Sequence, residues 1–233
     1  MPPRVVDLTQ PLGPRTVLWP GSTPYAARTV SRLERDGSYA RVIETPEHAG
    51  THLDAPSHFA QGGAHADALP AERLVAPCVV LDVREQCASD PAFTIGRDHL
   101  ADAERRDGAI EPGDAVLALT GWDRFLDEGG RYVESDFPGF GPDAAQALIE
   151  RGVVGLGIDT LGVDPGHATD FPVHHRTLPA GLWHLEGLVN LASLPARGAL
   201  LVVGALRLVD GSGAPARVFA LLPGYFPRIN PGE

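Results

Sequence analysis

His48-Ala-Gly-Thr-His52-Leu-Asp54-Ala-Pro-Ser-His58 places three of the chain's nine histidines and an aspartate within eleven residues. How this run folds governs the reading of everything around it. Helical spacing would put His48 and His52 on one face, but Gly50 and Pro56 oppose a helix, because glycine costs backbone entropy and proline lacks an interior donor. An extended Thr51–Ala55 is the better reading. Side chains alternate along a strand with a period of two, so His52 and Asp54 point to the same side. Gly50 lets the chain turn and bring His48 to the same point.

Two neutral imidazoles and a carboxylate make a borderline nitrogen and oxygen donor set. It suits zinc, and also manganese or iron, and it leaves coordination positions open for water and substrate. Open positions point to catalysis rather than scaffolding. His58 either adds a further ligand or stands just outside the ion. Its ordinary pKa near neutrality makes it the natural proton carrier, and we assign it as general acid and base.

Outward from this run, short β-rich stretches at residues 5–9, 41–45, 78–83, 115–120, 153–159, 199–209 and 217–222 alternate with Gly- and Pro-rich breaks. The spacing predicts helices over residues 142–151, with Pro142 in the first turn and Gly152 as a stop, and over 97–106, with a short one near Trp122. A sheet-based α/β or α+β domain follows. The 22 prolines and 27 glycines are spread along the chain rather than pooled, so no linker or repeat divides it, and one domain over 1–233 is expected.

A net charge of -11 argues against a nucleic-acid groove, which needs clustered Lys and Arg. The two cysteines, Cys78 within an apolar run and Cys87 just beyond it, offer neither a disulfide framework nor a Cys-rich zinc site. The run Met1-Pro-Pro-Arg-Val-Val-Asp lacks the apolar region of a secretory signal, and the longest apolar stretch, 199–206, is far short of the roughly 18 residues of a membrane span. A cytoplasmic protein with no membrane anchor is expected.

The run from His48 to His58 resembles the His-x-Gly-Thr-His-x-Asp-x-Pro-x-His signature of the cyclase family of metal hydrolases, which includes bacterial kynurenine formamidase and isatin hydrolase. The similarity continues through Asp7-Leu-Thr-Gln-Pro-Leu, Trp19-Pro-Gly-Ser-Thr-Pro, Gly157-Ile-Asp-Thr, His174-His175, Glu186-Gly-Leu-Val-Asn-Leu and Gly213-Ala-Pro-Ala-Arg217. The resemblance implies a single α/β domain with a β-rich core of the swivelling β/β/α type, usually as a homo-oligomer of two or more copies. It implies that His48, His52 and Asp54 ligate one metal, and that Asp54 bridges to a second held also by His174 and Glu186. The expected ion is zinc, with manganese as the alternative, one or two per subunit. His58 becomes the acid/base, and Trp19 contributes to the substrate pocket.

Within the second cluster, His174 is preferred to His175 because its twelve-residue separation from Glu186 matches the formamidase pattern. His184 is a reserve candidate that would share a strand face with Glu186. Read from the residues alone, His167, Asp170 and their neighbours fit a solvated loop equally well. Asp159 and Asp164 read as loop-fixing or pocket-lining residues, and Ser212 as part of a turn. The resemblance implies an amide hydrolase, first of N-formyl-L-kynurenine and second of another linear or cyclic amide such as isatin. A noncatalytic metal-binding protein is the reading from a different class. Ser22 stands where formamidases usually carry Asp, which bears on the substrate more than on the metal.

Overall fold

In the computed structural model, which describes residues 4–133 and 136–222, the β-rich stretches become strands. In chain order these are β1 (Val5–Asp7), β2 (Ala26–Ser31), β3 (Ala40–Glu44), β4 (His52–Asp54), β5 (Val75–Asp82), β6 (Thr94–Ile95), β7 (Ala115–Leu119), β8 (Gly139–Phe140), β9 (Gly155–Ile158), β10 (Trp183–Glu186), β11 (Ala199–Ala205) and β12 (Gly213–Leu221). The helices are α1 (Leu33–Asp36), α2 (Arg84–Ser89), α3 (Arg97–Asp107), α4 (Gly129–Tyr132), α5 (Pro142–Glu150) and α6 (His174–Thr177). Met1–Pro3 and the tail 223–233, both included in the one-domain expectation, lie outside the described residues.

The strand order β12-β11-β5-β7-β9-β10-β4 closes on itself because β4 pairs back onto β12, giving a seven-stranded barrel. β5, β7, β9 and β10 run parallel, and the remaining pairings are antiparallel. One edge of β12 serves two neighbours, with Gly213–Pro215 opposite β4 and Phe219–Leu221 opposite β1. This is the mixed α/β domain that the sequence implied.

Period-two alternation sorts the core into two parts. One face of each barrel strand turns inward, bringing Leu53, Val80, Leu117, Trp183, Leu185, Leu201 and Val218 into one buried cluster. The other face of β5, β7 and β9 presents Val79, Leu81, Val116, Ala118, Leu156 and Ile158 to Leu100 and Ala103 of α3 and to Ala144, Ala145 and Leu148 of α5. Glycine is needed at position 155, where an added Cβ would stand 2.2 Å from the ring of Trp183. The smallest residue thus lets the largest one fill the barrel.

Several elements differ from the sequence reading. The strand expected over 217–222 begins at Gly213, because Pro215 has no N–H to donate yet fits a position opposite β4. The strand expected over 199–209 ends at Ala205, and the helix near Trp122 is a 3-10 segment, Trp122–Glu128. β2, β6, β8, β10 and α2 were not singled out. They are short or charged, and periodicity is weak over so few residues. Cys78 and Cys87 are both buried and free.

Asp159, just after β9, ties the barrel to its outer loops. Its carboxylate accepts from the Thr120 N–H (3.0 Å), the Thr120 hydroxyl (2.6 Å) and the Gly121 N–H (2.7 Å). Burial pushes its carboxyl up, to about 7, against the pull of these donors. No helix among the described residues is long and apolar enough to cross a membrane. Asp159→Ala should lower unfolding stability by about 3 kcal/mol, since it strands buried donors. Urea denaturation would show it as an earlier midpoint, and an unchanged midpoint would refute this role.

Candidate metal centre

The centre grows out of one strand pair. β4 and β10 are antiparallel, with His184 opposite Asp54, Leu185 opposite Leu53 and Glu186 opposite His52. Leu53 and Leu185 point into the barrel, so the flanking residues must point outward on the other face. Four polar side chains therefore form a two-by-two patch at cross-strand spacing, each no more than 6% exposed. His52 Nε2 lies 3.3 Å from Asp54 Oδ1 and 3.4 Å from Glu186 Oε2, and His184 Nδ1 lies 3.5 Å from Asp54 Oδ2.

His174, at the start of α6, closes the patch from above. Its Nε2 is 3.4 Å from both Asp54 Oδ2 and Glu186 Oε1. Asp164 holds it there by accepting from the Val173 N–H (2.7 Å) and the His174 N–H (3.2 Å) and by contacting His174 Nδ1 at 2.5 Å. On the other flank Gly50, at φ +62°, turns the chain as expected and brings His48 in. His48 Nδ1 is 2.7 Å from Asp54 Oδ1, and its Nε2 is 2.9 Å from the Ser212 hydroxyl, which in turn donates to Glu47. His58 stacks on His48 with ring centroids 4.0 Å apart.

Does the arrangement fit a cation? Buried Asp54 Oδ2 and His184 Nδ1 have no hydrogen-bond partner, although they face each other across the strand pair. An unpartnered buried carboxylate oxygen is costly unless a cation satisfies it. Donors about 2.1 Å from a tetrahedral ion stand about 3.4 Å apart, which is the spacing found here. The donor atoms fall into two groups that share Asp54, namely Asp54, His174, His184 and Glu186, and His48, Asp54 and His58.

The electrostatics agree. Burial alone would raise the carboxyl of Asp54, but the imidazoles of His174, His184, His48 and His52 hold it well below its usual range. Burial opposes charge on His52 as well, yet Asp54 and Glu186 hold its imidazole up at about 10. Glu186 sits at about 2, because His174 and His52 outweigh burial and the repulsion of Asp54. Such carboxylates are ionised at neutral pH and call for positive charge, which protons or a divalent ion supply.

The patch opens into a cavity of about 310 Å³. Its wall is apolar, formed by Val17, Leu18, Trp19, Phe59, Leu161 and Phe171, and the histidines and Glu186 line the metal side. Phe171 holds the left-handed φ of +47°, a strained conformation for an aromatic residue, two positions before the segment that Asp164 anchors. No lysine or arginine lines the cavity among the described residues.

The structure thus brings together His48, His52, Asp54, His58, His174 and Glu186, and places Trp19 and Ser22 at the same cavity. His175 is exposed and packs its ring edge on Phe59, outside the patch. His184 proves to be in the cluster, and Asp164 fixes a loop as read. The sequence reading missed Glu47 and the contact of Ser212 with His48, since partners 164 residues apart leave no local signal.

The chain is similar to known proteins over most of its length. The family profile described as "Putative cyclase" matches residues 6–165. An isatin hydrolase of Roseibium aggregatum is 33% identical over 241 residues, covering 94% of this chain and 92% of that protein. A kynurenine formamidase of Salinibacter ruber is 33% identical over 215 residues, covering 91% of this chain and 95% of its own. The crystal structure of an isatin hydrolase bound to the product analogue thioisatinate superposes with a TM-score of 0.89 at 32% identity, over 94% of this chain and 92% of the other. The barrel, the histidine signature and this match over most of the chain together place it in the cyclase family.

Proposed function

We propose that the chain is a metal-dependent hydrolase of an aryl amide, and that its preferred substrate is a neutral ring amide of the isatin type. The observation that carries this reading is the unpartnered pair Asp54 Oδ2 and His184 Nδ1 at the floor of an apolar cavity. His48, His52, Asp54, His174 and Glu186 are the proposed ligands, with His184 the added candidate, and Asp54 belongs to both groups of donor atoms. Zinc is the expected ion and manganese the alternative. A divalent ion held by these residues would supply acidification of a water and polarisation of the amide carbonyl.

The chain's own residues do the rest. Trp19, Phe59 and Phe171 take up the flat ring of the substrate and keep bulk water from it. His58 has one face packed on His48 and reaches the cavity, and desolvation pushes its imidazole down to about 4. It is therefore neutral at pH 7 and accepts the proton lost by the attacking water, then delivers it to the departing nitrogen. The products are a carboxylate and an amine. For isatin both stay on one molecule, because the broken bond is in the ring.

Hydrolysis of N-formyl-L-kynurenine to L-kynurenine and formate is the second reading, favoured by the identity to the kynurenine formamidase. That substrate carries an ammonium and a carboxylate, and a cavity without Lys or Arg offers its carboxylate no fixed cation.

Four outcomes bear on this proposal. Purified protein loaded with zinc or manganese retains at least one equivalent by elemental analysis, and no metal at any loading would sink the proposal. His58→Ala keeps its metal and lowers kcat by about 10²- to 10⁴-fold. Asp164→Asn, which loosens His174, weakens metal affinity by about 10- to 100-fold in competition with a chromogenic chelator. Turnover of isatin at a higher kcat/KM than N-formyl-L-kynurenine would support the ring amide, and the reverse order would establish the second reading.

A further inference from the structure

We infer that His184 is a metal ligand, and that with Asp54, His174 and Glu186 it forms a closed four-donor site whose ion is structural. The inference rests on the metal-dependent reading above and is independent of the substrate. His184 is wholly buried and Asp54 is 1% exposed. His184 Nδ1 and Asp54 Oδ2 stand 3.5 Å apart, yet they make no hydrogen bond, and neither has any other partner. Two such polar atoms side by side in the interior are costly unless something binds both.

The other ring nitrogen of His184 assigns its hydrogen. Thr177 Oγ1 lies 2.7 Å from the Val173 carbonyl oxygen and 2.6 Å from His184 Nε2. A carbonyl oxygen only accepts, so the single hydroxyl proton goes to Val173 and the imidazole donates to Thr177 through Nε2. A neutral His184 therefore carries a bare lone pair on Nδ1, on the side of Asp54. His174 is held in the opposite tautomer. Its Nδ1 donates to the Asp164 carboxylate, leaving Nε2 bare at 3.4 Å from Asp54 Oδ2 and from Glu186 Oε1. The Val163 N–H donates to Glu186 Oε1 at 2.8 Å and fixes that carboxylate. Each donor is thus aimed by a partner behind it, which is how ligating histidines and carboxylates are oriented. Lone pairs that face one another repel, and a cation among them reverses the sign.

The count of donors gives the site its role. The four donor atoms all lie within 4.8 Å of one another, and all four residues are buried. Four nitrogen and oxygen donors complete the tetrahedron of a structural zinc site, whereas a catalytic site keeps a position for water or substrate. Zinc suits such a set better than manganese, which favours six oxygen donors. The two oxygens of Asp54 face different ways. Oδ2 is turned to His174 and His184, and Oδ1 to His48 at 2.7 Å and His52 at 3.3 Å. His48, His52 and His58 line the cavity, and His184 does not. Chemistry therefore belongs to the His48 side, and the His184 side stiffens the floor on which it takes place.

The test begins with the full-length wild type, isotopically labelled in its histidine nitrogens. Nitrogen NMR of the metal-free chain should show His184 protonated at Nε2, and zinc should shift its Nδ1 resonance while Nε2 keeps its proton. A proton on Nδ1, or an Nδ1 resonance that bound zinc leaves in place, would overturn the inference, and neither result depends on a variant that folds. Zinc-loaded wild type mixed with a chromogenic chelator should release its zinc in a fast and a slow phase. His184→Ala should abolish the slow phase and keep the fast one. Thr177→Val keeps the side chain's volume but removes the acceptor of the Nε2–H, and it should weaken retention of the slow ion about 10- to 100-fold. Far-UV circular dichroism checks that both variants fold. A slow phase unchanged in both folded variants, or a single fast phase in the wild type, would also overturn the inference. Wild type that takes up no zinc at all sinks the metal-dependent reading itself, whereas zinc retained with His184 unmoved sinks only this inference.

Discussion

Everything at the centre depends on the register of β4 against β10. Glu186 opposite His52 and Asp54 opposite His184 link two carboxylates and two imidazoles in a buried place through contacts of 3.3 to 3.5 Å. A slip of one residue in either strand would turn that strand's two polar side chains into the barrel and bring its leucine out. The apolar packing inside the barrel therefore enforces the polar arrangement outside it. Two buried carboxylates so close repel each other, and the chain tolerates this only because imidazoles, or an ion, offset the charge.

The supporting groups are arranged around that constraint. Asp164 fixes His174 by its ring nitrogen and by two backbone donors, so the one ligand candidate from a helix is as well oriented as those from strands. Ser212 and Glu47 do the same for His48. Asp159 acts one layer further out, holding the turn after β7.

Much of this was legible in the sequence, for identifiable reasons. His52 and Asp54 lie two apart in a run where Gly50 and Pro56 rule out a helix, so their shared face could be read directly. His184 and Glu186 have the same spacing, but β10 is only four residues long between loops and gave little periodic signal. Its pairing with β4 is a long-range fact, and the sequence cannot say which strand lies opposite which. The choice of His174 over His175 rested on resemblance, and the side on which each ring falls depends on one helical turn. The first residues of β12, Gly213–Pro215, carry no β-branched or aromatic side chain to mark them as strand, although barrel closure needs just those residues.

The cavity has two origins. Its metal side belongs to strands whose neighbours are fixed by the barrel, whereas Trp19, Phe59 and Phe171 come from connecting segments outside any strand. Loops accept substitution and insertion far more readily than paired strands do. The wall of the cavity can therefore change while the buried patch of histidines and carboxylates stays as it is. The fold thus separates a rigid polar floor from a wall carried by three connecting segments, and a change in any one of them reshapes the cavity without disturbing a strand pairing.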